Sequence, residues 1–213
     1  MSALRLKQLE DMKKSMNHGC ENASKSLSKI MEAEVKLSVS EVKLMKIEDI
    51  TKKLGKTEEI MTVVLLNLYG DITGTTFLIL EPESALKIAA KLTKIPKKDI
   101  RVFDEFDISA LSELGNITMG AIISALSDHL DKDISLTIPE TVTDMLGSTV
   151  NSIIAHVGKS TDKILIHKIN INIAGNDIKG NLLFFFDPKA SESIIKIKTK
   201  TKTNAGNDKR GNG

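Results

Sequence analysis

The chain has 213 residues, 41% of them hydrophobic, enough to bury one substantial core or two small ones that share a sheet. Its net charge of +2 is unevenly held: Lys196 to Gly213 contributes +5 and leaves the body at −3, which argues against a nucleic-acid surface there, and one Tyr with no Trp offers little for base stacking. A single cysteine, Cys20, excludes an internal disulfide, and the early charges Arg5, Lys7, Glu10 and Asp11 interrupt any signal-peptide core.

No apolar run approaches the roughly 20 residues of a membrane span, so the chain reads as cytoplasmic by default, with no membrane partner. Residues 3 to 31 carry Leu9, Met12, Met16, Cys20, Ala23, Leu27 and Ile30 at helical spacing. They predict a long amphipathic helix whose methionines are adaptable core packing and whose thiol is buried. Val35, Leu37 and Val39 then alternate with polar residues as a strand does, and a short helix from about Ile47 to Leu54 stops at Gly55. Thr62 to Tyr69 and Thr75 to Leu80 are β-rich runs around Gly70-Asp71-Ile72-Thr73-Gly74, a hairpin turn rather than a phosphate loop, since no Lys-Ser/Thr follows. Pro82 suits the first turn of a helix to about Lys94 that points Leu86, Ile88, Ala89 and Leu92 inward.

A second long helix is predicted from about Asp104 to Asp131. Gly115-Asn116 is a turn-like dipeptide inside it, and a helical Gly costs about 1 kcal/mol relative to Ala. The apolar period nevertheless passes through in phase, so the helix is taken as unbroken, with Gly115 permitting close approach of a neighbour. Leu111, Leu114, Thr118, Ile122, Ala125 and Leu126 form its buried stripe; Ser109, Glu113, Asn116, Gly120, Ser124 and Ser127 form a displayed row on the opposite face. Ile134 to Ile138 alternates as a strand that Pro139 ends. From Thr141 to about Val157 the chain reads as helix, with Met145, Leu146, Val150, Ile153 and Ile154 apolar. Ile164 to Ile173 is a strand whose phase flips at His167-Lys168, which implies a bulge or two-sided burial. Leu182 to Phe186 pairs back across a turn at 175 to 180, and Asp187-Pro188 opens a last helix ending near Ile197.

The chain also repeats itself. A shift of 99 residues lays Asn17 on Asn116, Leu27 on Leu126, Ser28 on Ser127, Leu37 on Leu136 and Glu41 on Glu140; a shift of 106 lays Gly74 on Gly180 and Glu81-Pro82 on Asp187-Pro188. Two units follow, 1–97 and 98–197, within one domain, ahead of a basic tail at 198–213 too polar to order itself. The expected class is α+β: two tandem units related by a pseudo-twofold, forming one antiparallel sheet of about six strands with long helices packed against it.

Ser109-x3-Glu113-x2-Asn116-x22-Pro139, inside this duplicated frame and followed by Asp144-Met145-Leu146-Gly147, resembles the signature of the CheC/CheX/FliY chemotaxis phosphatases, and CheC above all. The resemblance implies a phosphatase acting on the aspartyl phosphate of a CheY-type response regulator in two-component signalling. Asn116 would orient the attacking water and Glu113 would pair with a regulator lysine. Ser109 and Pro139 would support them, and Mg²⁺ would sit on the regulator, with no cofactor of the chain's own. In the first unit Asn17 is kept, but Glu10 stands at the Asp/Ser position, Lys14 at the Glu position and Ser40 at the Pro position, so a degenerate second site is expected. The alternative is a non-catalytic CheC-like adaptor that binds CheD or a flagellar switch component, with Met145, Leu146 and Ile153 offering contact, although their helical period favours burial. His18, His129, His156 and His167 are scattered, without metal or triad spacing.

Overall fold

The computed structural model describes residues 3–46, 49, 57–96, 103–157, 163–174, 176–187 and 190. Helix α1 (Ala3–Met31) leads into strand β1 (Val35–Lys46), hairpin β2 (Ile60–Gly70) and β3 (Gly74–Leu80), and helix α2 (Pro82–Thr93). Helix α3 (Glu105–Leu130) follows, then β4 (Ile134–Leu136), β5 (Glu140–Met145), helix α4 (Leu146–Val157) and hairpin β6 (Lys163–Ile173) and β7 (Asn176–Phe186). The expected helix at 47–54 and the last one after Pro188 fall almost wholly outside the described residues.

All seven strands form one antiparallel sheet in the order β1, β6, β7, β3, β2, β4, with β5 also on β2. Each half's opening strand therefore lies on the other half's hairpin. At the centre Phe77 stands opposite Leu183, residues that the 106-residue shift superposes, so the pseudo-twofold passes between them. Strand alternation sends Val64, Leu66, Leu68, Leu78, Leu182 and Phe184 into the core under α1, α2 and α3. The other face sends Met61, Val63, Phe77, Ile79, Leu183 and Phe185 against Leu146 and Val150 of α4, with Phe77 and Phe185 edge to face at 5.4 Å.

Several expectations are corrected. Ile134 to Ile138 is not one strand: pairing lapses after Leu136 and resumes at Glu140, so this edge contributes two of the seven strands in a sheet otherwise as expected. Residues 141–145 are strand and not helix, because Thr141-Val142-Thr143 is rich in β-branched side chains and finds an open edge on β2. The second hairpin turns earlier than the expected 175 to 180: Asn176 already pairs with Ile173, and Ala174 is in the left-handed region at φ 49°. The bulge opposite Lys168 belongs to β1, between Val39 and Glu41. In α1, Ile30 faces out and Met31 takes its inward place. No unbroken apolar run of membrane-spanning length is present, but by length and average composition alone α3 would be long and apolar enough to cross a membrane; its apolar half lies against the sheet and α1.

The two long helices cross antiparallel. Ser15 Oγ donates to the Ala125 carbonyl at 2.5 Å, and Gly19 lies where a Cβ would come within 2.6 Å of the Ala121 carbonyl oxygen and Ile122 Cα. Beside this crossing, burial pushes the Cys20 thiol up to about 12, with Glu21 adding to the shift, so it stays protonated through the neutral range. Gly115 meets side chain instead of backbone: a Cβ there would stand 2.6 Å from Val64 Cγ1. Gly19→Ala should therefore destabilise more than Gly115→Ala, since backbone must shift in the first case and one valine in the second; overpacking of this kind costs about 1–3 kcal/mol. Urea titration of the two variants measures the order, and Val64→Ala should recover part of the Gly115→Ala loss.

Candidate functional site

Helix α3 begins with a reciprocal cap: Asp107 N–H donates to the Asp104 carboxylate at 3.0 Å and Asp104 N–H donates back to Asp107 at 3.1 Å. It runs without a break through Gly115-Asn116 and ends at Asp131 in the left-handed region, φ 53°. The stripe Leu111, Leu114, Thr118, Ile122, Ala125 and Leu126 is buried as expected, and Ser109, Glu113, Asn116 and Ser124 are exposed, with Gly120 and Ser127 half-buried. Neither the Glu113 carboxylate nor the Asn116 amide has a hydrogen-bond or ion-pair partner among the described residues.

Under the row, Ser112 fastens α3 to the edge strand. Its Oγ donates to the Ile108 carbonyl at 2.8 Å, which uses its one proton, so the 2.6 Å contact to Thr141 Oγ1 is donated by the threonine. Pro139 is half-buried in the gap between β4 and β5. There Thr137 bridges to β2, donating its N–H to Asn67 O at 3.0 Å while its Oγ1 accepts from Asn67 N–H at 3.0 Å.

The corresponding place in the first half carries the same bulge. From Val39 to Glu41 β1 gains one residue against Ile169 and Lys168, and from Leu136 to Glu140 the other edge gains one against Leu68 to Leu65; the 99-residue shift lays Ser40 on Pro139 and Val39 on Ile138. The outcomes differ. Val39 N–H donates to Asn17 Oδ1 at 2.8 Å, Val39 is buried, and Lys13 Nζ reaches the Ser40 carbonyl at 2.9 Å. Asn17 is thus a fastening between α1 and β1. Lys14, where an acid was expected from the pattern, stands 3.8 Å from Asp11, and Glu10 is exposed. In the second half Ile138 is 86% exposed and Asn116 is left unengaged. Proline has no N–H and holds the residue before it extended, so this edge breaks where β1 continues.

Two exposed groups beside the row were not singled out from the sequence. Phe106 continues it by one turn at the helix start, and Ile138 had been read as part of a strand. Three-residue spacing from Ser109 was the available signal for Phe106. Met145 is exposed and Leu146 buried, so only one of these two apolar residues offers surface. Among the described residues no group of three His, Cys, Asp or Glu is placed to hold a metal ion.

The fold and this row define a duplicated α+β protein that presents an acid and an amide, one helical turn apart, on a long helix. A family model described as chemotaxis phosphatase CheX matches residues 62–157. The CheY-P phosphatase CheC of Bacillus subtilis is 24% identical over 152 residues, 70% of this chain and 73% of that protein. In sequence the chain is similar to the CheC and CheX chemotaxis phosphatases. In fold it is similar to FliY of Thermotoga maritima, with a TM-score of 0.71 at 16% identity covering 91% of this chain and 95% of that one. A chain in the FliG-FliM complex from H. pylori superposes with a TM-score of 0.67 at 14% identity, covering 92% and 100%.

Asn17→Ala should lower stability by about 1–2 kcal/mol, because it leaves the Val39 N–H without its acceptor. Asn116→Ala should stay within about 0.5 kcal/mol of the wild type, as an exposed substitution that breaks no contact. Parallel urea titrations compare the two asparagines.

Proposed function

We propose that the chain is a phosphatase for the aspartyl phosphate of a CheY-type response regulator, working through one site on α3. The carrying observation is the contrast between two asparagines at equivalent places: Asn17 is bound by its own edge strand, whereas Asn116 and, one turn before it, Glu113 stand exposed and unengaged. The naming of the Bacillus subtilis relative as a CheY-P phosphatase supports the same substrate class.

An acyl phosphate already has a good leaving group. Catalysis then needs a water held in line, for which a carboxamide is suited because it both donates and accepts. Asn116 supplies that amide, and Glu113 pairs with a lysine of the regulator and fixes the approach of the helix. Mg²⁺ is the regulator's, where it would balance phosphoryl charge. Ser109 opens the row. Pro139 breaks the neighbouring edge, so that Ile138, whose N–H corresponds to the one that captures Asn17 in the other half, does not engage Asn116.

The adaptor reading rests on a different face. Val142 and Met145 are each 50% exposed beside a cavity of about 440 Å³ that Ile60, Phe103 and Ile108 also line. CheD or a flagellar switch component would dock there without hydrolysis.

Loss of label from the phosphorylated regulator separates the two. Asn116→Ala should reduce stimulated dephosphorylation by about 100-fold or more, the scale of a lost positioning group. Glu113→Ala should weaken regulator binding, Pro139→Ser should lower the rate by letting the edge strand engage Asn116, and Asn17→Ala should change the rate little at temperatures where it remains folded. A wild type that binds its partner without accelerating label loss would favour the adaptor.

A further inference from the structure

Among the described residues Phe106 and Ile138 are the most exposed large apolar side chains, at 79% and 86%. Both border the acid and amide. Phe106, Ser109, Glu113 and Asn116 are spaced by three, four and three, so Phe106 lies on the same helical face, about 10 Å along the axis from Glu113 at 1.5 Å per residue. Ile138 stands on the edge strand at the level of Asn116. The bond between Thr141 and Ser112 sets the register of that strand against α3; with one of the three intervening steps taken up by the extra residue, Ile138 lies about 7 Å back along it, which matches the rise of about 6 Å from Ser112 to Asn116. The repeat places it independently, since Val39, the residue that corresponds to Ile138, touches Asn17.

The fold does not demand either exposure. At the corresponding positions the first half has Lys7, a charged and exposed residue, and Val39, which is 3% exposed. At these two positions the side chain is apolar and displayed in the half whose Glu and Asn are unengaged, and not in the other. Glu113 lies between the anchors and Glu105 beside Phe106, both exposed, an acidic surface suited to a partner that presents a cation. A partner seated on Glu113 and Asn116 through an ordinary interface covers roughly 800 Å², a patch about 30 Å across, and therefore reaches both side chains.

We infer that Phe106 and Ile138 are the apolar anchors by which α3 and its edge strand grip the regulator, one at each end of the Glu113–Asn116 pair. The inference rests on the phosphatase reading for the identity of the partner. The anchors govern affinity, and the amide governs turnover. Being exposed, both can be truncated without opening the core.

The test uses the full chain with a CheY-type regulator of the same genome, loaded with Mg²⁺ and beryllofluoride for binding and phosphorylated for turnover. Phe106→Ala and Ile138→Ala should each raise the Kd and the half-saturating regulator concentration about tenfold, leave the rate at saturation unchanged, and leave the urea midpoint where it was. Ile95→Ala, an equally apolar truncation remote from the row, should change neither quantity. If the wild type stimulates dephosphorylation and the two truncations leave its concentration dependence untouched, the anchors are refuted and the phosphatase reading stands. If the wild type binds the beryllofluoride form through both anchors but does not hydrolyse, the docking face stands and the catalytic reading fails. If the truncations abolish self-association in sedimentation while regulator binding is intact, the face is a contact between copies and the inference is overturned.

Discussion

The contact of Gly115 with Val64 fixes where everything else on α3 stands. Without a Cβ the helix comes close to β2, and a residue with a side chain there would hold it off. Asn116 is the next residue, so its height above the sheet, and above the edge strand beside it, is set by this one approach. The crossing at Gly19 sets the second coordinate, because α1 meets the backbone of Ala121 and Ile122 directly and leaves α3 no freedom to slide. Close packing of this kind has few alternative solutions, which is how the backbone beneath a solvent-facing amide is held in one place by residues that face inward.

The exchange of edge strands adds a constraint of another kind. Because β1 lies on β6 and β5 lies on β2, neither half completes its own sheet, and each site is assembled from one half's helix and an edge bound to the other half's hairpin. Duplication thus produced two copies of one corner, with the same helix face and a bulge at the same place. One copy satisfies its asparagine with a backbone donor and stabilises the fold. The other keeps its asparagine unsatisfied by the chain and gives up that stabilisation, about what one hydrogen bond contributes.

Much of this was legible in the residues, and the failures have physical reasons. The seven-residue beat of α3 carries through Gly115 because the buried stripe needs only Leu111, Leu114 and Thr118 in phase; a single glycine costs less than the packing recovers. The chain shift superposing Asn17 on Asn116 exposed the duplication, and the centre pair Phe77 and Leu183 obeys the second shift. What composition hid was the edge. Residues 134–145 are one strand in function but broken by Pro139, and the second segment carries Met145 and Leu146 at a spacing that suits a helix as well as a strand-to-helix junction. Short apolar runs cannot decide between those periods, and the open side of β2 does.

The bond that holds Asn17 was also invisible in the sequence: Lys14 and Ser40 marked that half as degenerate, but nothing in the residues said what its retained asparagine holds. Retention of a residue type and retention of its role separate here for a simple reason. An amide satisfies a strand N–H as readily as it orients a water, and the choice passes to whether the adjacent backbone offers that N–H. In β1 the strand runs on past Ser40 and Val39 offers it; in the other half the pairing lapses between Leu136 and Glu140, around Pro139, and the N–H of Ile138 is not joined to Asn116. The difference between a fastening and an available amide therefore lies at the neighbouring strand's corner more than in the asparagine itself, and the side chain at that corner differs in the same sense: Val39 is buried where Asn17 is bound, and Ile138 is turned outward where Asn116 is not.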